Sequence, residues 1–271
     1  MVNLTMYVFN IGRGFSCFVR SPSNETLLID CGCSDEFSPI DYIHSNLLTS
    51  NISKLTITHP HNDHIREIEN VWIKTEPNTL LGRDYDWESL KEPGLEYKAL
   101  DYYANLKDNV YTGTGSHSQR GMNLNHYFPN RTKARKIDVA TQAFLNNTSI
   151  LSTLEYQNKK FLFTGDIQNE MWEKLLEEDD FLKFIEGTTI VIAPHHGLDS
   201  AFYPGLYEHI NPWISLISER SGENPNSGYS SEDYFSGIKY QDKTRRSFTT
   251  RLGTIYVEVR EDGWWIENKD I

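Results

Sequence analysis

Cysteine is scarce in this chain, with three residues in 271: Cys17, Cys31 and Cys33. An odd count argues against a disulfide framework, and the single glycine between Cys31 and Cys33 is too short a spacer for an ordinary disulfide or a standard zinc knuckle. Free thiols, buried or partly buried and without a redox role, are expected. Long apolar runs are missing too, since none approaches the roughly 18 residues that a membrane helix needs. The opening stretch MVNLTMYVFN lacks the basic start and apolar core of a secretory signal, so a cytoplasmic protein with no membrane partner is expected. In that setting the Asn-x-Ser/Thr sequons carry no meaning. Positive charge is in short supply, with 26 Lys and Arg against 38 Asp and Glu and a net charge of −12. Such a chain repels polyanions, which argues against a non-specific DNA coat. It does not exclude an enzyme acting on phosphodiesters, because bound divalent cations would invert the field at the site. Neither an internal repeat nor a low-complexity tract is present.

What is present is a globular composition, 38% hydrophobic and 13% aromatic. The length allows one substantial core, and a single α/β domain over residues 1–271 is the expected organisation. MYVFNI, SCFVR and TLLID read as strands parted by the turns GRG and SPSNE. SPIDYIHSNLL predicts a helix capped by Ser38, with Ile40, Ile43, Leu47 and Leu48 at helical spacing, and KLTIT predicts the strand after it. IREIENVWIK reads as another helix. From residue 149 the sequence predicts the strands SILSTLEY and FLFTG about a QNKK turn, one long acidic helix over QNEMWEKLLEEDDFLKFI, and the strand TIVIAP. WISLIS, a helix near SEDYFSGI, and a hairpin from TIYVEV through EDG to WWIE complete the pattern. Hairpin strands interleaved with helices predict a layered α/β sandwich of mixed strands.

Residues 83–137 depart from that rhythm and read as an inserted, lid-like segment with a helix at LEYKALDYYANL and a loop at TGTGSHSQRGMN. Its Tyr97, Tyr102 and Tyr103 either pack the helix onto the body or offer rings for a substrate to stack on.

The chemistry concentrates at THPHNDHI, residues 58–65, behind the strand-like KLTI. His59 and His61 are spaced to turn toward one point as the chain leaves a strand, and Asp63 and His64 toward a neighbouring one. Imidazole and carboxylate suit zinc and similar ions, and two such points suit a pair of ions about 3.5 to 4 Å apart. Alone, the motif favours a metal site over a surface loop with ordinary histidines. Two further strands change the balance: FLFT ends in Gly165-Asp166, and TIVIA ends in PHHG at 194–197. Three strand-like runs ending in His or Asp point to one sheet edge where a site is assembled.

These pieces resemble the metallo-β-lactamase fold superfamily, in particular the branch with the hydrolase domain of the ComEC DNA-uptake channel and the phosphorylcholine esterases. The likeness runs in order through FNIGRGFSCFVR with LLIDCG, THPHNDHI, NNTSILSTLEYQNKKFLFTGDI, IAPHHG, NPNSGYSSEDYF and GTIYVEV, nearly the whole chain apart from residues 83–137. It implies an αββα sandwich of two mixed sheets flanked by helices, and two divalent metal ions, zinc or alternatively manganese. His59 and His61 would hold one ion, Asp63, His64 and His196 the second, and Asp166 would bridge them. A hydroxide between the ions would be the nucleophile. Asp63, His195 and Tyr229 are the expected catalytic residues, with His195 or Tyr229 assisting the leaving group. Asn146, Arg245 and Arg246 are expected to contact substrate. Many members carry another histidine ligand before the strand leading to the bridging aspartate, whereas here the sequence is FLNNTSIL; His117 or His126 could substitute but read as surface histidines.

The function implied is a metal-dependent hydrolase, a phosphodiesterase or nuclease acting on a nucleic acid or nucleotide. The alternatives are a hydrolase of non-phosphate esters or lactams, and a degenerate binding module that keeps the scaffold without catalysis.

Overall fold

Strict alternation of buried and half-buried residues makes Leu4–Val8 (β1) a strand with one face in the core. It leads into Ser16–Arg20 (β2) and Thr26–Cys31 (β3), where both faces are covered and every residue of β3 is buried. The computed structural model describes residues 3–111, 122–138, 140–219, 239–240, 243–244 and 246–271. Pro39–Ser45 (α1) begins at Ser38, whose side chain accepts the Asp41 N–H as the sequence predicts. Ile40 and Ile43 are buried, but the helix ends before Leu48, which is 84% exposed. Lys54–Thr56 (β4) follows, then a helical turn inside the histidine cluster, Asn62–Ile65 (α2), and Ile68–Thr75 (α3), which takes up the helix expected at IREIENVWIK.

Leu80–Leu81 (β5), Lys98–Asn105 (α4), Asn123–Tyr127 (β6), Arg131–Ile137 (α5) and Thr141–Asn147 (α6) come next. Residues 123–127 of the 83–137 segment therefore supply a strand of the body, because β6 pairs antiparallel along its whole length with Leu151–Tyr156 (β7). Lys159–Phe163 (β8) closes the hairpin. The long acidic helix of the sequence reading is two helices, Asn169–Leu175 (α7) and Asp179–Ile185 (α8). The break falls beside Glu178, which accepts hydrogen bonds from the Tyr127 hydroxyl and from Lys133 Nζ, partners that helical periodicity does not reveal. Ile190–Ile192 (β9), Pro204–Ile210 (α9) and Ile214–Ile217 (β10) follow. A short pair, Lys239–Tyr240 (β11) with Lys243–Thr244 (β12), precedes Arg246–Thr249 (β13), Thr254–Arg260 (β14) and Gly263–Lys269 (β15). The helix expected near SEDYFSGI lies outside the described residues.

The strands form a seven-stranded sheet ordered β15-β14-β1-β2-β3-β4-β5 and a six-stranded sheet ordered β13-β10-β9-β8-β7-β6. Both are mixed: β3, β4 and β5 run parallel in the first, and β8, β9, β10 and β13 in the second. Leu27 and Ile29 face Phe161, Phe163, Ile190 and Ile192 in one apolar layer between the sheets, while Leu28, one residue out of phase, joins the layer beneath the helices. Ile40, Ile65, Ile68 and Val71, and Met171, Trp172, Phe181 and Ile185 on α7 and α8, belong to that outer layer. Helix, sheet, sheet, helix is the αββα sandwich expected. Among the described residues no helix is long and apolar enough to cross a membrane.

Candidate metal centre

Parallel strands bring their C-terminal ends to one edge, and the site is built there. The backbone leaving β4 carries Thr58 to His64, that leaving β8 carries Asp166, and that leaving β9 carries His195 and His196. Short main-chain links tie these ends together: the Ile150 N–H donates to the Thr58 carbonyl at 2.9 Å, and the His195 N–H to that of Gly165 at 3.0 Å. His195 and His196 both lie in the left-handed region, at φ 47° and 57°, ahead of Gly197 at 79°. Two consecutive non-glycine residues there are strained, of order 1–3 kcal/mol each, and the turn aims both rings into the site.

Asp166 Oδ2 is the centre of the cluster. It lies 3.3 Å from His64 Nε2, 3.4 Å from His196 Nε2, and 3.7 Å from both His59 Nε2 and His195 Nε2. His59 Nε2 and His61 Nδ1 are 2.9 Å apart, His64 Nε2 and His196 Nε2 3.3 Å, and Asp63 Oδ2 is 3.6 Å from His196 Nε2. Among the described residues, two sets of donor atoms lie close enough to share a cation: His59, His64 and Asp166, and Asp63, His64 and His196.

The supporting hydrogen bonds orient the rings for ligation. Asp30, fully buried on β3 at φ 56°, accepts from the Thr58 N–H, the Thr58 hydroxyl and His64 Nδ1, each at 2.7 Å. His59 Nδ1 sits 3.1 Å from Thr58 Oγ1 and 3.3 Å from Ser149 Oγ. With both Nδ1 atoms engaged, the Nε2 atoms of His59 and His64 face Asp166, which is the way histidine ligands are commonly held. Burial pushes the pKa of His59 well down, and that of His61 to about 4, so both are neutral donors. Burial opposes charge on Asp166, but His64, His196 and His59 outweigh it and hold its carboxyl well below the usual range. Burial likewise opposes charge on His64, yet the flanking Asp166 and Asp30 raise it well above the ordinary value. The cluster draws positive charge to its centre, and its imidazole and carboxylate donors fit divalent cations.

A cleft of about 820 Å³ opens over the cluster, lined by His61, Asp63, Asn146, Asp166 and His195 on one side and by Tyr97, Lys98 and Leu100 of the α4 region on the other. The tyrosines of the lid-like segment divide their roles. Tyr103 is buried against Trp87 and Gly82, Tyr102 packs on the core, and Tyr97 faces the cleft while accepting the Glu92 N–H. His126 is not a surface residue: it is partly buried, bonded through Nδ1 to Ser152 at 2.8 Å, and does not line the cleft. The GRGF turn brings Arg13, which the sequence pattern does not single out, to the cleft rim with its Nε 3.9 Å from Asp63 Oδ2. Asp30, likewise not singled out, is marked in the sequence by a carboxylate in the otherwise apolar LLIDC. Tyr229, Arg245 and His117 lie outside the described residues, as does the side chain of Arg246. Cys17 and Cys31 are buried, Cys33 is half-buried, and all three are free thiols.

No family model matches the sequence, and no curated protein matches it. Solved structures of similar shape include the E377D mutant of the β-hydroxylase CmlA, at TM-score 0.57 and 15% identity over 94% of this chain and 54% of that one. The metallo-β-lactamase fold protein YhfI of Bacillus subtilis is similar at TM-score 0.48 and 13% identity, over 83% of this chain and 90% of YhfI. A diphosphatase of the PhnP family follows at TM-score 0.49 and 12% identity, over 94% of this chain and 98% of that one. At such identities the likeness is one of fold alone.

Proposed function

We propose that this protein is a metal-dependent hydrolase of phosphodiesters, acting on a nucleic acid or nucleotide. The observation that carries the reading is the convergence of four imidazole nitrogens within 3.3 to 3.7 Å of one Asp166 oxygen at the floor of an open cleft. His59, His61, Asp63, His64, Asp166 and His196 would hold two divalent ions, zinc or manganese, which when bound supply Lewis acidity and lower the pKa of water. Arg13 at the rim and Lys98 on the facing helix suit an anionic substrate, and Tyr97 offers a ring to a base. Burial keeps His195 below its ordinary pKa, so it stands neutral at pH 7, able to present a ring N–H to a substrate oxygen. The sequence likeness to the ComEC hydrolase domain supports the same substrate class. Three unpaired thiols support a reducing, cytoplasmic setting.

The test is a panel of single-stranded DNA, RNA, cyclic nucleotides and bis(p-nitrophenyl) phosphate, with a carboxylic ester and a lactam alongside, assayed with manganese or zinc. Hydrolysis of a phosphodiester is expected. Turnover of the ester or lactam alone would replace this reading, and metal-loaded protein with no turnover at all would make the chain a binding module. Asp166→Ala is expected to abolish activity and release metal together, because its carboxylate offsets the repulsion between two cations. Retained turnover in that variant would remove the site from consideration.

A further inference from the structure

Among the buried polar side-chain atoms without a hydrogen-bond partner, three line the cleft: His61 Nε2, His195 Nδ1 and Asn146 Oδ1. Asn146 is the unusual one. It is 5% exposed, at the last turn of α6, and a buried amide oxygen without a donor is rare in a folded chain. Its neighbours show that the turn is placed with care. Asn147 Oδ1 accepts the Gln168 N–H at 3.1 Å, and Ser149 Oγ accepts the Asp166 N–H at 3.1 Å while reaching His59 Nδ1. Asn147 and Ser149 thus spend their side chains fastening this turn to the loop after β8 and to His59. Asn146 Oδ1 is left without a partner in the cleft that Asp166 also lines.

The donors around the cluster are unevenly distributed. Asp63, His64 and His196 gather on one side, with a carboxylate of their own in addition to the shared Asp166. On the other side His59 Nε2 and His61 Nδ1 meet at 2.9 Å, and among the described residues the carboxylate paired with His59 is the shared Asp166, at 3.7 Å. An amide oxygen is a neutral, hard donor that prefers cations such as manganese or magnesium to soft ones.

We infer that Asn146 Oδ1 is a ligand completing the cation position of His59, His61 and Asp166, so that the protein holds two cations of unequal affinity. The inference rests on the reading of the cluster as a two-cation centre. It assigns Asn146 to the metal and not to the substrate. The looser position is the one with the amide, because it has one shared anionic ligand where its neighbour has that ligand and Asp63.

The experiment titrates Mn²⁺ into the chelator-stripped full chain, following free Mn²⁺ by electron paramagnetic resonance and the thermal midpoint in parallel. Wild-type protein is expected to take up two ions in two steps. Asn146→Leu should weaken the looser step by more than about tenfold and spare the tighter one. Asn146→Asp, close to isosteric and anionic, should tighten the looser step. Should Asn146→Leu keep both steps at wild-type affinity, the assignment is overturned, and a raised KM for bis(p-nitrophenyl) phosphate in that variant would make Asn146 a substrate contact instead. Loss of both steps in Asn146→Leu, with Asn146→Asp no tighter than wild type, also overturns it. Wild-type protein that takes up no Mn²⁺ would bring down the two-cation reading itself, an outcome visible before any variant is made.

Discussion

His64 shows how much of this site is decided one side chain at a time. Its Nδ1 donates to Asp30 and its Nε2 meets Asp166 and His196, so the ring has no freedom to turn. Asp30 can do this because it accepts three hydrogen bonds at once, all at 2.7 Å, from a backbone position at φ 56°. Asn in its place would put a donor where an acceptor is needed. Asp30→Asn is expected to lower metal affinity about 10- to 100-fold while the chain still folds, measured by competition with a chromogenic chelator. Unchanged affinity would show that the ring is held by packing alone.

At the scale of elements, the loop between β4 and α2 is seated by the backbone around it. The Phe15 N–H donates to the Asp63 carbonyl at 3.2 Å, and Gly14 and Gly32 leave room for that carbonyl. A Cβ on Gly32 would stand 2.1 Å from the Asp63 oxygen, closer than any real contact, so β3 and the histidine loop would have to part. Gly32→Ala is therefore expected to cut activity and metal uptake by tenfold or more, an order-of-magnitude figure for a displaced ligand. An assay of both in the same preparation checks it, and a variant with wild-type kinetics would mean the loop yields without cost. The division of α7 from α8 is also an element-scale matter, since Glu178 is drawn to Tyr127 and Lys133 across the fold.

For the whole molecule, buried neutral histidines link stability to pH. Burial lowers His126 from the ordinary 6.5 to about 4, with Lys54 adding to the effect. Between those values the unfolded chain binds a proton that the folded one refuses, so stability is complete above about 6.5 and falls as pH drops toward 4. With a chelator present, the thermal midpoint should decline over that range, and His126→Asn, which keeps a partner for Ser152, should flatten the decline. A slope identical in variant and wild type would assign the acid response to other groups, His61 at about 4 first among them.

Much of the site was legible because its donors sit at fixed places in the chain: His59, His61, Asp63 and His64 within one short loop, Asp166 and His196 each just past an apolar strand. Periodicity of two and the strand-end pattern were enough for an α/β sandwich with helices outside. Less legible were features that depend on residues far apart in sequence. The pairing of β6 with β7, the break beside Glu178, the burial of His126 against Ser152 and the grip of Asp30 on His64 each join partners more than twenty residues apart. Sequence by itself determined which chemistry the chain carries, because ligand type is a property of single residues. Only the tertiary structure decided which of those side chains meet and which buried groups are left unpaired, because those depend on distances of a few ångströms between strand ends that no spacing encodes.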